Sequence, residues 1–281
     1  MTVDHDGGHA PDGGLTLDLL TLVRRRRMLG LLGLAGLGGA LAGCDVFGPA
    51  QGREADKTAV AADGTSCTKD PAETAGPFPA DGTNAKNGAT LNMLTQSGVR
   101  RADIRPSFAG MTPLAAGAPL ELTLRLVDAG AACAPLAGRA VYVWHCDRDG
   151  KYSLYDLPDR NYLRGIGVAD AAGEVRFTSV FPGCYPGRWP HIHFEAFADI
   201  DHAASGKASL LTSQLAMPGD AAAALYGADK SYRDAAANLK RLTAATDGVF
   251  ADSTLRQLAA QTPKFTGDAA AGFKAFALVG L

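Results

Sequence analysis

One stretch constrains the fold and chemistry of this chain more than any other. It runs from Pro182 through a Pro/Gly-rich loop to His191 and His193, and its alternating pattern continues to Phe197. Successive side chains of a β-strand point to opposite faces, so a strand over 191–197 places both histidines and Glu195 on one face. The apolar residues between them take the other face. Two imidazoles on one strand face can bind the same metal ion.

A phenol and a cation lie just before the two histidines. Tyr185 sits in the Pro/Gly loop, from which its side chain can be aimed back at the histidines, and Arg188 follows it. A lone His-x-His pair is more often a solvated strand face, but these neighbours favour a metal site. Imidazole suits Zn, Cu, Fe and Ni alike, so the histidines do not name the metal. A tyrosinate ligand would favour a hard, oxidised ion such as Fe(III).

The rest of the chain is typical of a β protein. Residues 119–128 alternate cleanly, with leucines on one face, which predicts a half-buried strand, and 140–146 is apolar on both faces, which predicts a central strand. Further strands are predicted at 173–180, 210–215 and 273–279, and helices at 221–225 and 232–242. Short strands, many Gly/Pro turns and helices only late in the chain indicate a β-sandwich with peripheral helical loops.

The first 44 residues have the pattern of an export signal. Four arginines, 24–27, precede an apolar run from Met28 to Gly43 that is short for a spanning helix, which needs about 20 residues. The pattern resembles a twin-arginine signal, except that Val23 stands where Ser or Thr is usual. Residues 41–44 resemble a bacterial lipobox, which predicts cleavage before Cys44 and acylation of its sulfur. The alternative is an uncleaved anchor with Cys44 unmodified.

These features predict an exported protein in the periplasm or cell envelope, held at the membrane by a lipid anchor only. Residues 45–66 lack periodicity and predict a flexible tether, followed by one domain over 67–281. The net charge is −2 with no basic stripe, so no nucleic-acid partner is predicted. The pattern does not indicate an oligomeric state.

Four cysteines follow the lipobox. In an exported protein they indicate up to two disulfides, with three possible connectivities, or else buried free thiols. At least one bridge is favoured. No C-x-x-C spacing occurs, which argues against a structural zinc site. The cysteines are Cys67, Cys133, Cys146 and Cys184.

Motifs spread over about 67–281 resemble those of the intradiol ring-cleavage dioxygenases, and more narrowly their exported single-chain branch. The Tyr/Arg/His-x-His cluster is specific as a set, whereas its single pieces are not. In chain order the matching pieces are Glu73–Phe78, Arg101–Arg105, Trp144–Asp147, Asp149–Ser153, Leu163–Gly165, Pro182–Arg188, His191–Phe194, Leu211–Leu215 and Asp247–Phe250.

The resemblance implies a mainly β, mixed-topology sandwich with peripheral loops and short helices that binds non-haem Fe(III). It implies four metal ligands, Tyr152, Tyr185, His191 and His193. Tyr152 is preferred to Tyr155 because it directly follows the Asp-x-Gly-x turn. Tyr142, Tyr155 and Tyr162 are then expected to be packing or pocket residues, and His145 a strand histidine hydrogen-bonded internally.

The resemblance also implies the reaction. A catechol-type substrate would be cleaved with O2 between its two hydroxyl-bearing carbons to give a muconate-type diacid. Tyr185 would take up a substrate proton, Arg188 would stabilise negative charge on the ring, and Gln214 would lie near the substrate. The chain departs from the family pattern at Gly167, Trp189 and Cys184, and these departures bear on the choice of substrate.

Two other functions fit the same residues. One is a lipid-anchored, non-catalytic β-sandwich that serves as a binding module. The other is a Zn or Cu enzyme that uses His191 and His193. The second requires a third ligand, for which Glu195 and Cys184 are the candidates.

Overall fold

The computed structural model describes residues 58–86, 88–206 and 208–281. The strands are β1 (Thr58–Val60), β2 (Ser66–Thr68), β3 (Asp81–Lys86), β4 (Ala89–Asn92), β5 (Pro119–Asp128), β6 (Ala134–Pro135), β7 (Ala140–Trp144), β8 (Arg164–Val168), β9 (Glu174–Val180), β10 (His191–Phe197), β11 (Leu211–Ala216), β12 (Lys264–Asp268) and β13 (Gly272–Gly280). The helices are α1 (Ile200–Ala204), α2 (Gly219–Ala228), α3 (Arg233–Leu239) and α4 (Leu255–Gln261), with 3-10 turns at Lys230–Tyr232, Ala244–Thr246 and Phe250–Asp252.

Most strands belong to two sheets. The first is antiparallel, in the order β11–β10–β7–β8. The second is built on β5, which pairs with β13 in parallel and with β9 antiparallel, while β12 extends beyond β13 and β6 pairs with the end of β5. The parallel pair gives the fold its mixed topology. The predicted mainly β sandwich with peripheral loops and short helices is confirmed.

The core lies between the two sheets. On β5, the alternate residues from Leu120 to Leu126 are buried, as the two-residue period of a strand requires. They belong to the same apolar cluster as Val143 of β7 and Ile192 and Phe194 of β10. The histidines of β10 therefore lie on the opposite face of the first sheet, as the alternation predicts.

That outer face of the first sheet is also covered. Tyr142 and Trp144 of β7 are fully buried there in a second apolar cluster, so the prediction that β7 is covered on both sides is confirmed. Residues 71–80, which we call the strap, cross this face. The strap is fixed to β11, because Glu73 N donates to Thr212 O at 2.8 Å and Gln214 Nε2 donates to Thr74 O at 2.8 Å.

Strand β8 is not indicated by the sequence, since it contains two glycines and no alternation. Packing explains both glycines. A Cβ on Gly165 would lie 2.4 Å from Ile104 Cγ2, and one on Gly167 would lie 2.3 Å from Val175 Cγ2. The strand can approach its neighbours this closely only without side chains at these positions, so tertiary packing overrides strand propensity.

The predicted end of the tether is wrong. Residues 58–66 lie in the β1–β2 hairpin rather than in a flexible segment, and Thr58 pairs with Thr68. The hairpin escapes prediction because it is short and has no alternating apolar residues. It is fixed by a covalent bond instead, since Cys67 of β2 is bridged to Cys133. The folded domain therefore begins before residue 67.

The export signal predicted over 1–44, with Cys44, and residues 45–57 of the tether lie outside the described residues. Within the described ranges, the helices are too short or too polar to cross a membrane.

The prediction of at least one disulfide is confirmed. Cys67 and Cys133 form a bridge, whereas Cys146 and Cys184 are buried free thiols. Cys146 Sγ is 3.5 Å from Gly183 O, and Cys184 Sγ donates to Ala235 O at 3.1 Å. Burial raises the pKa of both free thiols, so they are inert packing groups.

Loss of the bridge should destabilise the domain measurably. It joins residues 66 positions apart, and in the chain-entropy treatment closing a loop of that length is worth about 4 kcal/mol. We expect Cys67→Ser with Cys133→Ser to lower the free energy of unfolding by that order in urea titrations. The oxidised and reduced wild-type protein serve as matched controls. A loss below about 1 kcal/mol would contradict this role.

Asp70 fastens the segment after the hairpin to the last strand. Its Oδ2 accepts from Gly280 N at 2.7 Å, and its own N–H donates to Gly280 O at 3.0 Å. The side chain is buried, and Oδ1 has no hydrogen-bond partner among the described residues. Burial raises the pKa of Asp70 to about 7, against the opposing effect of the Gly280 N–H.

This raised pKa predicts an unusual pH dependence. The folded state keeps a proton on Asp70 that the unfolded chain releases near pH 3.8, so this stabilisation is full below that pH and is lost as pH rises through about 7. In the wild type, this effect should lower the free energy of unfolding by about 3 kcal/mol between pH 4 and 8. We expect Asp70→Asn to abolish this decrease. Urea midpoints of both proteins across this range test it, and parallel curves would refute the assignment.

Candidate metal centre

Strand β10 presents two imidazoles on the outer face of the first sheet. His191 Nε2 and His193 Nε2 are 3.1 Å apart, and both side chains are buried. The His193 ring stacks on Trp144 of β7 with centroids 4.9 Å apart, because these two residues are paired in register. His191 Nδ1 donates to Trp189 O, so its Nε2 carries the lone pair that faces the site.

Tyr152 reaches the histidines from the loop after β7. Asp147 shapes this loop, since its Oδ1 accepts from Asp149 N and Lys151 N, and its Oδ2 accepts from the Tyr162 hydroxyl. Tyr152 N in turn donates to Asp156 Oδ2 at 2.8 Å. The buried Tyr152 Oη lies 3.2 Å from Nε2 of each histidine.

Tyr185 arrives from the loop before β10. This loop packs tightly on the Tyr152 loop, because a Cβ on Gly183 would lie 2.4 Å from Arg148 O. Gly150 has a φ of +74°, and a Cβ there would meet Tyr185 Cβ at 3.2 Å. Glycines thus let the two tyrosine-bearing loops touch. Tyr185 Oη lies 3.4 Å from His191 Nε2, and Tyr185 is the half-buried member of the four.

The structure therefore brings together all four predicted ligand residues. Four of the separations between their donor atoms lie between 3.1 and 3.4 Å. Neighbouring ligands about 2.1 Å from one metal ion are separated by about 3.0–3.4 Å. Two phenol oxygens and two imidazole nitrogens converging at this spacing leave several lone pairs facing one point, and a cation would satisfy them. The residues fit a metal ion.

Burial also sets the charge states of these groups. It lowers the pKa of both histidines, with Arg188 adding to the effect at His191 and His191 adding to it at His193. Both imidazoles are therefore neutral, which is the form that binds metal. Burial raises the pKa of Tyr152 well above its ordinary value, and the neighbouring Tyr185 raises it further. A metal cation would oppose this shift and favour the phenolate.

Arg188 lies beside the four donors and is held by a buried network. Its Nε donates to Asp247 Oδ2 at 3.0 Å and its Nη2 donates to Gln214 Oε1 at 2.6 Å. Its Nη1 is 3.5 Å from Tyr185 Oη. Arg188, Asp247 and Gln214 are fully buried. A positive charge is thus fixed next to the more exposed tyrosine.

Asp247 is a residue of this network to which the sequence motifs assign no role. Burial would raise the pKa of Asp247, but the charge of Arg188 and hydrogen bonds from Phe250 N and Trp189 N outweigh it and keep the carboxylate ionised. Its Oδ1 also accepts from Val249 N. The Asp247–Phe250 motif carried the signal, because a buried arginine needs a buried anion.

Arg164 is a second residue with no predicted role. It is fully buried, and its guanidinium donates to Pro79 O, Ser153 O and Ser153 Oγ. It therefore ties the strap to the loop that carries Tyr152. Phe78 of the strap then packs on the Tyr152 ring with centroids 4.8 Å apart.

The remaining predicted tyrosines and His145 lie outside the donor set. His145 is buried, with Nδ1 donating to Cys146 O and Nε2 bonded to Ser179 Oγ, both at 2.7 Å, which confirms the prediction of an internal hydrogen-bonded histidine. Burial lowers its pKa to about 4. The hydroxyl of Tyr142 donates to Pro79 O, and that of Tyr155 donates to Asn84 Oδ1.

The three departures from the family pattern face elsewhere. The indole of Trp189 donates to Met217 O at 2.8 Å and packs with Val249 and Phe250. Gly167 faces the inter-sheet core, and Cys184 points to α3. None of these three contacts the four donor atoms in the described hydrogen bonds and ring contacts.

The alternative Zn or Cu site gains no support from this arrangement. Glu195 accepts from Thr212 Oγ1 at 2.9 Å, and Cys184 donates to Ala235 O. Across the described ranges, no group of three or more His, Cys, Asp or Glu residues is placed to hold a metal ion. The side chains that lie within 3.4 Å of Nε2 of His191 or His193 in the described hydrogen bonds, besides the two histidines themselves, are Tyr152 and Tyr185.

Comparison with known proteins supports the family that the sequence motifs resemble. A family profile described as dioxygenase matches residues 103–249, which is 147 of the 281 residues and contains the four donors, Arg188, Gln214 and Asp247. The chain is 34% identical over 117 residues to the protocatechuate 3,4-dioxygenase beta chain of Burkholderia cepacia, covering 37% of this chain and 46% of the relative. It therefore spans about half the length of that curated relative.

A solved structure supports the fold. The intradiol ring-cleavage dioxygenase from Tetranychus urticae is similar at 23% identity with a TM-score of 0.52, covering 66% of this chain and 87% of that one. At this identity the likeness bears on the fold alone, which is the sandwich described above. With the profile match over more than half of its length, the chain belongs to the intradiol ring-cleavage dioxygenases, a family of oxidoreductases.

Proposed function

We propose that the protein is a non-haem Fe(III) dioxygenase that cleaves a catechol-type substrate with O2 between its two hydroxyl-bearing carbons, giving a muconate-type diacid. The observation that carries this proposal is the convergence of two phenol oxygens and two imidazole nitrogens, each of which lies 3.1–3.4 Å from at least one of the others. Phenolate is a hard anionic donor, which favours a ferric ion over a softer divalent one.

Tyr152, Tyr185, His191 and His193 would hold the iron. Bound ferric iron would supply the Lewis acidity that keeps the catechol deprotonated and its ring reactive toward O2. Two phenolates would offset two of the three positive charges of a ferric ion, and the neutral histidines would add none. The buried position of Tyr152 and both histidines excludes water from that side of the site.

Tyr185 is suited to a proton-accepting role. It is the least buried of the four donors, and its Oη is the donor atom nearest to the Arg188 guanidinium in the described contacts. A substrate hydroxyl entering from the open side can pass its proton to Tyr185 Oη, because the adjacent cation stabilises the negative charge that the substrate oxygen acquires. Gln214 and Asp247 hold Arg188 in place during this step.

The walls of the site suit a flat aromatic ring. Phe78 of the strap and the Tyr152 ring are in contact, and Phe78 also lies 5.0 Å from the Tyr155 ring. An aromatic ring packs well against such surfaces in offset or edge-on arrangements. Catechol itself is therefore the first substrate to test.

Oxygen consumption and product analysis test the proposed reaction. The iron-loaded full chain should consume one O2 per catechol and give a ring-opened diacid, with both atoms of 18O2 in the product. A hydroxy-aldehyde acid, from cleavage beside the hydroxyls, would contradict intradiol cleavage. A protein that binds catechol without consuming O2 would instead support the non-catalytic binding module.

We further propose that the protein acts at the cell envelope, exported by the 1–44 signal and held by lipid on Cys44. The support is the apolar run after four arginines and the lipobox-like end of that run. Cys44→Ser is expected to abolish incorporation of radiolabelled palmitate and to release the processed protein from membranes. A processed variant that stays with the membrane would overturn the lipid anchor.

A further inference from the structure

A second concave site lies away from the metal centre. It is a groove of about 820 Å³ between the β1–β2 hairpin, α4 and strands β5, β12 and β13 of the second sheet. We call it the hairpin groove. Its lining shares no residue with the four donors or with the Arg188 network. The Cys67–Cys133 disulfide fixes the hairpin that forms one side of the groove.

The hairpin groove carries an excess of positive charge. Arg125, Arg256 and Lys264 line it, and Asp63 is the acidic residue among its described lining. Asp63 is exposed at the rim, where its Oδ1 accepts from Thr65 N at 2.9 Å. Thr65 and then the Arg125 charge keep the pKa of Asp63 low, so it counts as one anion against three cations.

Arg125 has a donor that nothing in the described protein uses. It projects from β5 into the groove, and its Nε is buried without a hydrogen-bond partner among the described residues. A buried unpaired guanidinium N–H is costly and calls for an acceptor. Arg256 Nη1 donates to Thr58 Oγ1 at 2.7 Å, which places a second guanidinium in the lining, between α4 and the hairpin. Two guanidinium groups beside hydroxyl-bearing residues suit a phosphate group.

The position of the groove along the chain suggests where that phosphate comes from. Thr58, the first described residue, lines the groove, so the 13 tether residues 45–57 end at its edge. A segment of that length reaches at most about 45 Å. Leu255, beside Arg256, is 89% exposed and Val60 of β1 is 58% exposed. Basic and exposed apolar residues together are typical of surfaces that meet a membrane.

We propose that the hairpin groove binds the phosphate headgroup of anionic phospholipid in the membrane that holds the chain. Contact would orient the domain with the groove against the membrane. The choice of lipid rests on the proposed lipid attachment and is independent of the dioxygenase activity. Removal of Arg125 and Lys264 should weaken headgroup contact by about 10- to 100-fold.

Hydrogen exchange of the full chain reconstituted on vesicles tests this inference. With 30% phosphatidylglycerol in phosphatidylcholine, residues 58–68 and 255–264 should gain protection that is absent on phosphatidylcholine alone and is reduced at 0.5 M salt. Arg125→Gln with Lys264→Gln should remove it. The matched control, Lys240→Gln with Arg241→Gln, changes two exposed cations outside the groove and should retain it.

Two outcomes would overturn the proposal. One is equal protection on both vesicle types or in the groove variant. The other is the same protection from soluble glycerol 3-phosphate without vesicles, which would assign a soluble phosphate ester. The readout needs no turnover, so a protein that cleaves catechol but shows no headgroup-dependent protection would refute the groove proposal alone.

Discussion

Tyr152→Phe is expected to lose its bound iron together with the visible absorption of a phenolate–iron protein. The change removes the oxygen that lies 3.2 Å from both histidine Nε2 atoms and leaves the ring and its packing on Phe78. Loss of groups that only support metal ligands typically costs 10–100-fold in affinity, so loss of a ligand should exceed about 100-fold. Metal analysis after dialysis against a weak chelator measures it.

Tyr155→Phe is the matched control, because it makes the same chemical change three residues away. The Tyr155 hydroxyl bonds to Asn84 and the Ala80 N–H rather than facing the histidines, so this variant should keep its iron. Tyr185→Phe should lose the phenolate band only in part, since Tyr152 remains. Full iron content in both Tyr152→Phe and Tyr185→Phe would contradict the four-ligand site.

Arg188→Ala is expected to lower turnover by about 100- to 1,000-fold, the usual effect of removing one group that stabilises developing charge. It should also lower the free energy of unfolding by about 3–5 kcal/mol, because Asp247 is left as a buried carboxylate without its cation. The folded fraction should still bind iron, since Arg188 donates to Asp247 and Gln214 and is not among the four donors. Steady-state kinetics, urea unfolding and metal analysis measure the three effects.

A double variant separates the effect of Arg188 on turnover from its effect on stability. Arg188→Met with Asp247→Asn removes both buried charges, and the amide oxygen can still accept from Val249 N and Phe250 N. Stability should return to within about 1–2 kcal/mol of the wild type, while turnover stays low. If turnover returns with stability, Arg188 is structural. Loss of iron in the double variant would also contradict its proposed role.

The site was largely predictable because its residues lie in local patterns. The period of two residues along β10 puts His191 and His193 on one face whatever the rest of the chain does. Arg188 and Tyr185 precede them in a loop whose Pro/Gly content limits where it can go. Asp247 was not assigned a role, because its partner lies 59 residues earlier and only the folded chain brings them together.

The fold, like the site, has elements that local sequence patterns predict and elements that they do not. Both ends of strand β5 were predicted, because its alternating leucines indicate its length and its buried face. Strand β8 and the β1–β2 hairpin were not, since glycine packing against Ile104 and a disulfide to Cys133 hold them in place. Such long-range causes leave no periodic trace in the sequence.

The visible absorption spectrum of the iron-loaded full chain, before and after adding catechol under argon, tests the central claim most directly. We predict a coloured protein with a phenolate-to-Fe(III) charge-transfer band that shifts when catechol is added, because Tyr152 and Tyr185 face the same point as the two histidines. Tyr155→Phe should give the same spectra. A folded protein that remains colourless after iron loading, or whose band ignores catechol, would contradict a ferric site that binds the substrate directly.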